Sequence, residues 1–493
     1  MKHPRLTLLA LLLLNSVLST AHAQPTIEWD RTLGGSGTDF LADFWLTADG
    51  GYILGGSSQS NTSGEKSEDG RGDWDVWVMK LNADRTIQWQ RTLGGNKYDA
   101  LCDFYQTVDG GYILGGTSSS NVSGEKTENS RGGSDYWVIK LSATGTIEWQ
   151  RTLGGNDLDE LNSLSPTADG GYILGGRSSS NVSGEKTENS RGANDYWVIK
   201  LSATGTIEWQ KTLGGSANDA LYPVRQTSDG GYILGGESIS NSSGEKTQNS
   251  RGGYDYWVVK LSATGNIEWD RTLGGSEWDL PRMLWQTSDG GYILGGESFS
   301  DISGEKTENS RGEQDGWLIK LDAAGNKVWD KTLGGSKGDG FGLFQLAVDG
   351  GYILGGWSSS DISGEKTENS RGGSDYWLVK LCDTPIKPTL GPDFAMACPG
   401  SEPDTLRTDE IAGLDYHWYR VSGPGSETPL AGDAHELEVL SPGTYIVEVE
   451  NDCGLTERDT VVVSESAHPD ASSLLPETAE LCSGPVTLGP EVS

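Results

Sequence analysis

An all-β chain, in which an array of repeated antiparallel units precedes a separate β-sandwich, is what this sequence predicts on three observations. The segment "DGGYILGG" starts at Asp49, Asp109, Asp169, Asp229, Asp289 and Asp349, 60 residues apart with no insertion. "SGEK", "TLGG" and two tryptophan series keep that period, and a fixed period of this size marks a repeated supersecondary unit. Glycine is abundant (71 residues) between runs of strand-forming residues, and no long stretch has helical spacing, so the units read as short strands with tight turns. Third, the two ends of the array are out of phase by one strand.

Each period holds four predicted strands, a to d. In the second period they are 101–107, 111–117, 135–142 and 146–153. "VDGG" joins a to b as a hairpin turn, a long polar loop ("SSNVSGEKTENSRGGS") joins b to c, and "ATG" joins c to d. The array begins with a d strand at 26–33 ("TIEWDRTL") that has no a, b or c of its own, and its sixth period ends on a c strand at 375–381 ("DYWLVKL") with no d. If the first d completes the last unit, residues 24–382 close as a six-bladed β-propeller and two exposed sheet edges disappear. A linear solenoid would leave both edges open and require caps.

The run "WVIKLSATGTIEWQRTLGG" resembles the tryptophan-containing repeats of quinoprotein-like propellers, and "TSDGGYILGG" is similar to a repeat of about the same length in large exported bacterial propeller proteins. The resemblance spans residues 25–382 and implies a fold, not an activity. No counterpart of the asymmetric, metal-containing quinoprotein cofactor site is recognisable. "TSDGGY" also resembles the Asp-box turn of sialidase-like propellers, without their arginine cluster.

Residues 1–23 combine a basic start, an apolar run and a small-residue end at Ala21-His22-Ala23, which reads as a signal peptide cleaved before Gln24. No later stretch is apolar enough to span a bilayer. A net charge of −34 argues against nucleic-acid binding. After a linker at 383–392, Cys398, Trp418 and Cys453 fall in the order Cys…Trp…Cys, and "GTYIVEVENDC" resembles the end of an immunoglobulin-like sandwich, placed at 393–466. That resemblance implies a Cys398–Cys453 disulfide, compatible with export. "AELCSGPVTLGP" repeats the pattern of "FAMACPGSEPDTL", so 467–493 reads as the start of a second, truncated module, and Cys102 and Cys382 read as buried thiols. Immunoglobulin-like modules behind an exported propeller resemble surface proteins of the type IX secretion system.

The repeats differ chiefly along strand a. One position reads Trp45, Tyr105, Ser165, Arg225, Trp285, Gln345; another reads Ala42, Cys102, Asn162, Tyr222, Arg282, Gly342. Tyr98 and Trp278 stand out in the d–a connection, and Trp357 at the end of strand b. Aromatic residues and arginine dominate recognition sites, so Trp45, Tyr98, Tyr105, Arg225, Trp278, Arg282, Trp285 and Trp357 form the expected ligand-binding set at one channel mouth. The competing reading is packing variation in inner strands. Asp39, Asp99, Asp159, Asp219, Asp279 and Asp339 recur just before strand a and are candidate Ca²⁺ ligands; the alternative is that each accepts hydrogen bonds within its own turn.

No histidine falls within the array, which excludes a histidine-based triad or histidine-ligated zinc there. Asp43 and Asp103 are the only non-repeated strand-a acids that suggest carboxylate chemistry. The expectation is an exported, secreted or cell-surface protein, non-catalytic and without a cofactor, that binds a glycan or surface partner for adhesion. The alternatives are a carboxylate-dependent glycan hydrolase or lyase, and a purely structural envelope component.

Overall fold

The computed structural model describes residues 29–347, 351–382, 387–392, 394–396, 404–410, 414–423, 426–430, 434–439, 441–451, 453–465, 480–481 and 484–485. The expected leader, Cys398 and most of 467–493 lie outside these residues. Within that last segment Glu480–Leu481 pairs with Gly484–Pro485. Among the described residues no helix is long and apolar enough to cross a membrane.

The a–b turn shows why the repeat folds as it does. Thr47 Oγ1 and Gly51 N both donate to Asp49 Oδ1 (2.6 and 3.1 Å), and Gly50 takes φ +77°, a region that favours glycine. The buried Lys80 ammonium on strand c then pins Asp49 at 3.0 Å. The Thr47 hydroxyl first, and Lys80 next, hold this carboxyl at about 2. The same anchor recurs as Lys140–Asp109, Lys200–Asp169, Lys260–Asp229 and Lys320–Asp289.

Strands pair in the order a-b-c-d in each of five antiparallel sheets, the first made of Asp39–Leu46, Tyr52–Ser58, Asp75–Leu81 and Ile87–Leu93. The others start at Asp99, Asp159, Asp219 and Asp279. The sixth sheet has only three strands, Asp339–Leu346, Tyr352–Ser358 and Asp375–Leu381. Successive sheets pack face to face. At the first junction Ile53, Val78 and Leu93 meet Leu101, Phe104 and Trp137, all buried. The strand-d tryptophan of one sheet meets the strand-b tyrosine of the next edge-on, as in Trp89–Tyr112 at 5.7 Å. The chain is thus a repeat-built, propeller-like all-β array.

The expected closing pair is not formed among the described residues. Residues 29–38 contact the first sheet but have no ladder partner, so they form no strand. Strand c of the last sheet pairs only with strand b. Each end therefore exposes a face that is buried everywhere else: Phe44 is 60% exposed against 0% for Phe104, and Tyr376 is 99% exposed against 0% for Tyr136.

Beyond the array, a five-stranded sheet runs in the order Phe394–Met396, Thr456–Glu465, Gly443–Asn451, Leu414–Gly423, Ser426–Leu430, beside a two-stranded sheet of Asp404–Arg407 and Glu436–Val439. Trp418 is buried among Leu406, Leu437, Val447 and Val461, and its Nε1 donates to the Ala434 carbonyl (2.8 Å). Leu390, assigned to the linker from sequence, belongs to this core. Cys453 pairs with Cys382, not with Cys398: their Cα atoms are 6.3 Å apart, within bridging distance. Cys382 is consequently no free thiol. Among the described residues Cys102 alone is free, and it is part-buried.

Candidate functional site

Strand a carries an irregularity that its sequence hides. The a–b ladder shifts register at one place in each sheet: between Leu41 and Asp43, Leu101 and Asp103, Pro281 and Met283, Phe341 and Leu343, and at equivalent points beside Asn162 and Tyr222. The residue left over is the variable one: Ala42, Cys102, Asn162, Tyr222, Arg282 or Gly342. A β-bulge bends its strand and re-aims the extra side chain, so the repeat varies where its backbone departs from the ladder.

The candidate residues fall into separate groups rather than around one mouth. Trp45, Arg225 and Trp285 pair with Ile53, Ile233 and Ile293, near the a–b turns. Trp357 pairs with Gly340 at the other end of strand a, five residues from Gln345. At about 3.3 Å per residue that separates the levels by roughly 16 Å. The single-face expectation fails because a strand delivers positions 42, 45 and 57 of the repeat to different heights.

The first group centres on Arg225. Its guanidinium lies 3.7 Å from the Trp285 ring centroid, Trp285 stacks on Phe344 at 6.0 Å, and Trp45 meets Tyr105 at 5.7 Å. Arg225, on the fourth sheet, also acts electrostatically on the Tyr105 phenol of the second. Burial pushes Tyr105 up to about 12, and Arg225 opposes the shift. Asp103 accepts the Leu164 N–H at 3.2 Å. Burial raises its carboxyl to about 7; the Leu164 bond and Arg225 lower it, and Asp43 raises it further. Burial also raises Asp43. Two carboxyls, a phenol and a guanidinium thus share a patch walled by Trp45, Trp285 and Phe344.

The second group is held by its own contacts. Arg282 lies over Tyr222 (5.4 Å) and 3.8 Å from Glu297, to which Trp357 Nε1 donates at 3.3 Å. Burial raises the Glu237 carboxyl, and the neighbouring Tyr222 hydroxyl and Arg282 oppose that rise. Tyr98 and Trp278 belong to neither group. Both are exposed, and Trp278 sits edge-on between Tyr254 (5.9 Å) and Phe299 (6.4 Å).

The six repeated aspartates do not assemble. Each lies in its own sheet and accepts the N–H of the glycine four residues earlier, at 2.7 Å in all six. Each also accepts a serine hydroxyl, as Asp99 does from Ser120 at 2.7 Å. One carboxylate oxygen of each is committed to the corner that precedes strand a, while Oδ1 of Asp99, Asp159, Asp219, Asp279 and Asp339 is buried without a partner, and among the described residues no group of three or more His, Cys, Asp or Glu could hold a metal ion. Of the residues not expected from sequence, Phe344 gave no signal, because its equivalents Phe104 and Leu164 are core. Glu237 and Glu297 could have been found as the acids that face Tyr222 and Arg282 at the end of strand b.

No family model matches the chain. The regulatory protein FlaEY of Caulobacter vibrioides is 23% identical over 260 residues, which cover 49% of this chain and 27% of that protein. The chain thus spans about a quarter of that relative's length. Among solved structures, a puromycin hydrolase mutant complexed with PGG overlaps 70% of this chain and 44% of its own, at 12% identity and a TM-score of 0.39. A Synechocystis apocarotenoid oxygenase mutant overlaps 85% and 89%, at 10% identity and a TM-score of 0.32. Overlaps at that level carry no argument about function.

Proposed function

We propose that the protein is an exported, non-catalytic binding protein whose array closes as a six-bladed propeller and takes a glycan or surface partner on its inner strands. One observation carries the reading. Trp45, Tyr105, Arg225 and Trp285 occupy one repeat position, differ from sheet to sheet, and form a single aromatic and charged patch. Flat rings beside a few fixed polar groups suit a sugar face and its hydroxyls. The C-terminal unit then serves as an immunoglobulin-like spacer. Its buried Trp418 supports that, as does the Tyr445 hydroxyl donating to the Ser441 carbonyl at 2.7 Å, the pattern of a tyrosine corner. Secretion to the cell surface, by a route like type IX, follows from the resemblance of this layout.

A second reading has its own support. Asp103, titrating at about 7, and Asp43 beside it are the pair a carboxylate-dependent glycan hydrolase or lyase would use. A glycan array probed with the mature chain and with a Trp45→Ala/Trp285→Ala variant tests both. Binding that the variant loses supports the site, and cleavage of a hit, abolished by Asp103→Asn, favours the second reading. Equal binding by both proteins, or none by either, overturns the glycan site.

A further inference from the structure

One backbone frame recurs at all five junctions between successive sheets. The N–H that starts strand a donates to the carbonyl just before strand c of the previous sheet, as Asp219 N does to Asn194 (2.8 Å) and Asp279 N to Tyr254 (2.6 Å). The carbonyl just before strand a accepts in turn from the N–H just after strand b: Ile239 N donates to Asn218 (3.1 Å) and Phe299 N to Trp278 (2.8 Å). Three side chains therefore meet at each junction, at the end of the strands away from the a–b turns.

The frame is constant and the side chains on it are not. At the second junction they are Ser134, Leu158 and Ser179; at the fourth they are Tyr254, Trp278 and Phe299. The flanking serines, Ser178 and Ser180 in one sheet and Ser298 and Ser300 in another, keep their identity and stay buried. Variation is thus confined to positions that the frame holds at the surface.

Over the third to fifth sheets these side chains join into one row. Asn194 Nδ2 donates to Asn218 Oδ1 (2.7 Å), and Asn218 Nδ2 donates to the Tyr254 hydroxyl (3.0 Å). The Tyr254 ring meets Trp278 edge-on at 5.9 Å, and Phe299 braces Trp278 at 6.4 Å. Trp278 also rests on the backbone of Gly253, where a Cβ would stand 1.8 Å from its Cδ1. Three contacts fix the ring, yet Trp278 is 54% exposed. The Tyr254 hydroxyl accepts from Asn218 and keeps its own proton to donate.

No carboxylate, ammonium or guanidinium takes part in this row, whereas the inner patch holds Arg225, Asp43 and Asp103. Trp278 precedes strand a and Trp285 follows seven residues later, so at about 3.3 Å per residue the two lie roughly 20 Å apart. We propose that the row is a second binding site, which takes an uncharged pyranose unit of a glycan. A sugar ring offers an apolar C–H face to the open indole and hydroxyls to Tyr254 and Asn218. A flat ring beside neutral polar groups suits that ligand better than an ion. The site depends on neither the closure of the array nor the inner patch.

Affinity electrophoresis of the full mature chain tests this, in gels that each hold one neutral polysaccharide: β-glucan, xylan, mannan or galactan. The expected result is retardation by at least one of them. Binding should be about tenfold weaker in Trp278→Ala and within about threefold of the parent in Trp278→Phe. Tyr254→Phe keeps every ring and removes one hydroxyl, so its expected loss of about fivefold stands however Trp278→Ala folds. The inner-patch variant Trp45→Ala/Trp285→Ala should bind as the parent does. Retardation by none of the four overturns the proposal, as does retardation that Trp278→Ala and Tyr254→Phe both keep. Retardation lost in the inner-patch variant alone also overturns it, while supporting the inner patch, so the two sites fail separately. A concentration-dependent mass by light scattering that Trp278→Ala abolishes would overturn it in favour of a second copy.

Discussion

Strand c and strand a belong to the same sheets, yet they use sequence in opposite ways. Strand c repeats almost letter for letter, "DYWVIKL" at 135–141 and at 195–201, because both its faces meet neighbouring sheets and every side chain is buried. Close-packed interiors register even one methylene, so a change there must be matched across a junction. Strand a buries one face against the preceding sheet and carries a bulge, and its other side meets chiefly strand a of the next sheet, with Trp45 in one sheet and Arg225 in another. Constancy here records a strand buried on both faces, and variety records a strand whose second face is only partly buried.

The largest effect should come from breaking the constant strand. Trp197→Ala removes a fully buried ring and is expected to cost about 3–5 kcal/mol. Trp285→Ala, part-buried on strand a, should lose little beyond its contacts with Arg225 and Phe344, about 1–2 kcal/mol. Urea unfolding of both variants measures the contrast, and equal losses would remove it.

Cys453→Ser sharpens the comparison by leaving the array's own strands untouched. A covalent link closing a loop of 71 residues stabilises by about 2–4 kcal/mol. The loss should fall on the C-terminal unit, seen as faster exchange of amides in 443–451 with those of 195–201 unchanged.

The smallest effect is that of pH. Burial raises the strand-c carboxyls of Asp135, Asp195, Asp255 and Asp315 to about 6, against an ordinary 3.8. The folded chain then keeps protons that the unfolded chain has released, so this contribution to stability is present below about 4 and is lost as pH rises towards 6. The melting temperature should fall by a few degrees across that window, and Asp195→Asn should flatten part of the fall. A melting temperature that rises through the window would contradict it. The carboxyls held at about 2, Asp49 and Asp109 among them, act in the opposite direction and only at more acid pH.

Much of the array was legible because it is local. The 60-residue period, the Asp-Gly-Gly turn and the alternation within strands each depend on residues close in sequence. What was not legible depends on heights and distances along the fold. The bulge beside Tyr222 and Arg282 leaves no signature in composition, so positions 45 and 57 of the repeat read as one mouth when strand a holds them apart. Cys398 and Cys382 are both plausible partners for Cys453 by count, and only the place where strand c of the last sheet ends decides for Cys382. The repeated aspartates looked like a ring because they share a phase, but equal phase placed them in equal, separate corners.

The link between Cys382 and Cys453 also sets how the molecule transmits tension. A pull applied beyond residue 453 passes straight to the end of the array's last strand through one covalent bond. Residues 383–452 then lie off the direct line of force, as slack beside a taut rope. Within the C-terminal unit that load falls first on Thr456–Glu465, which lies beyond the link and must shear along Gly443–Asn451.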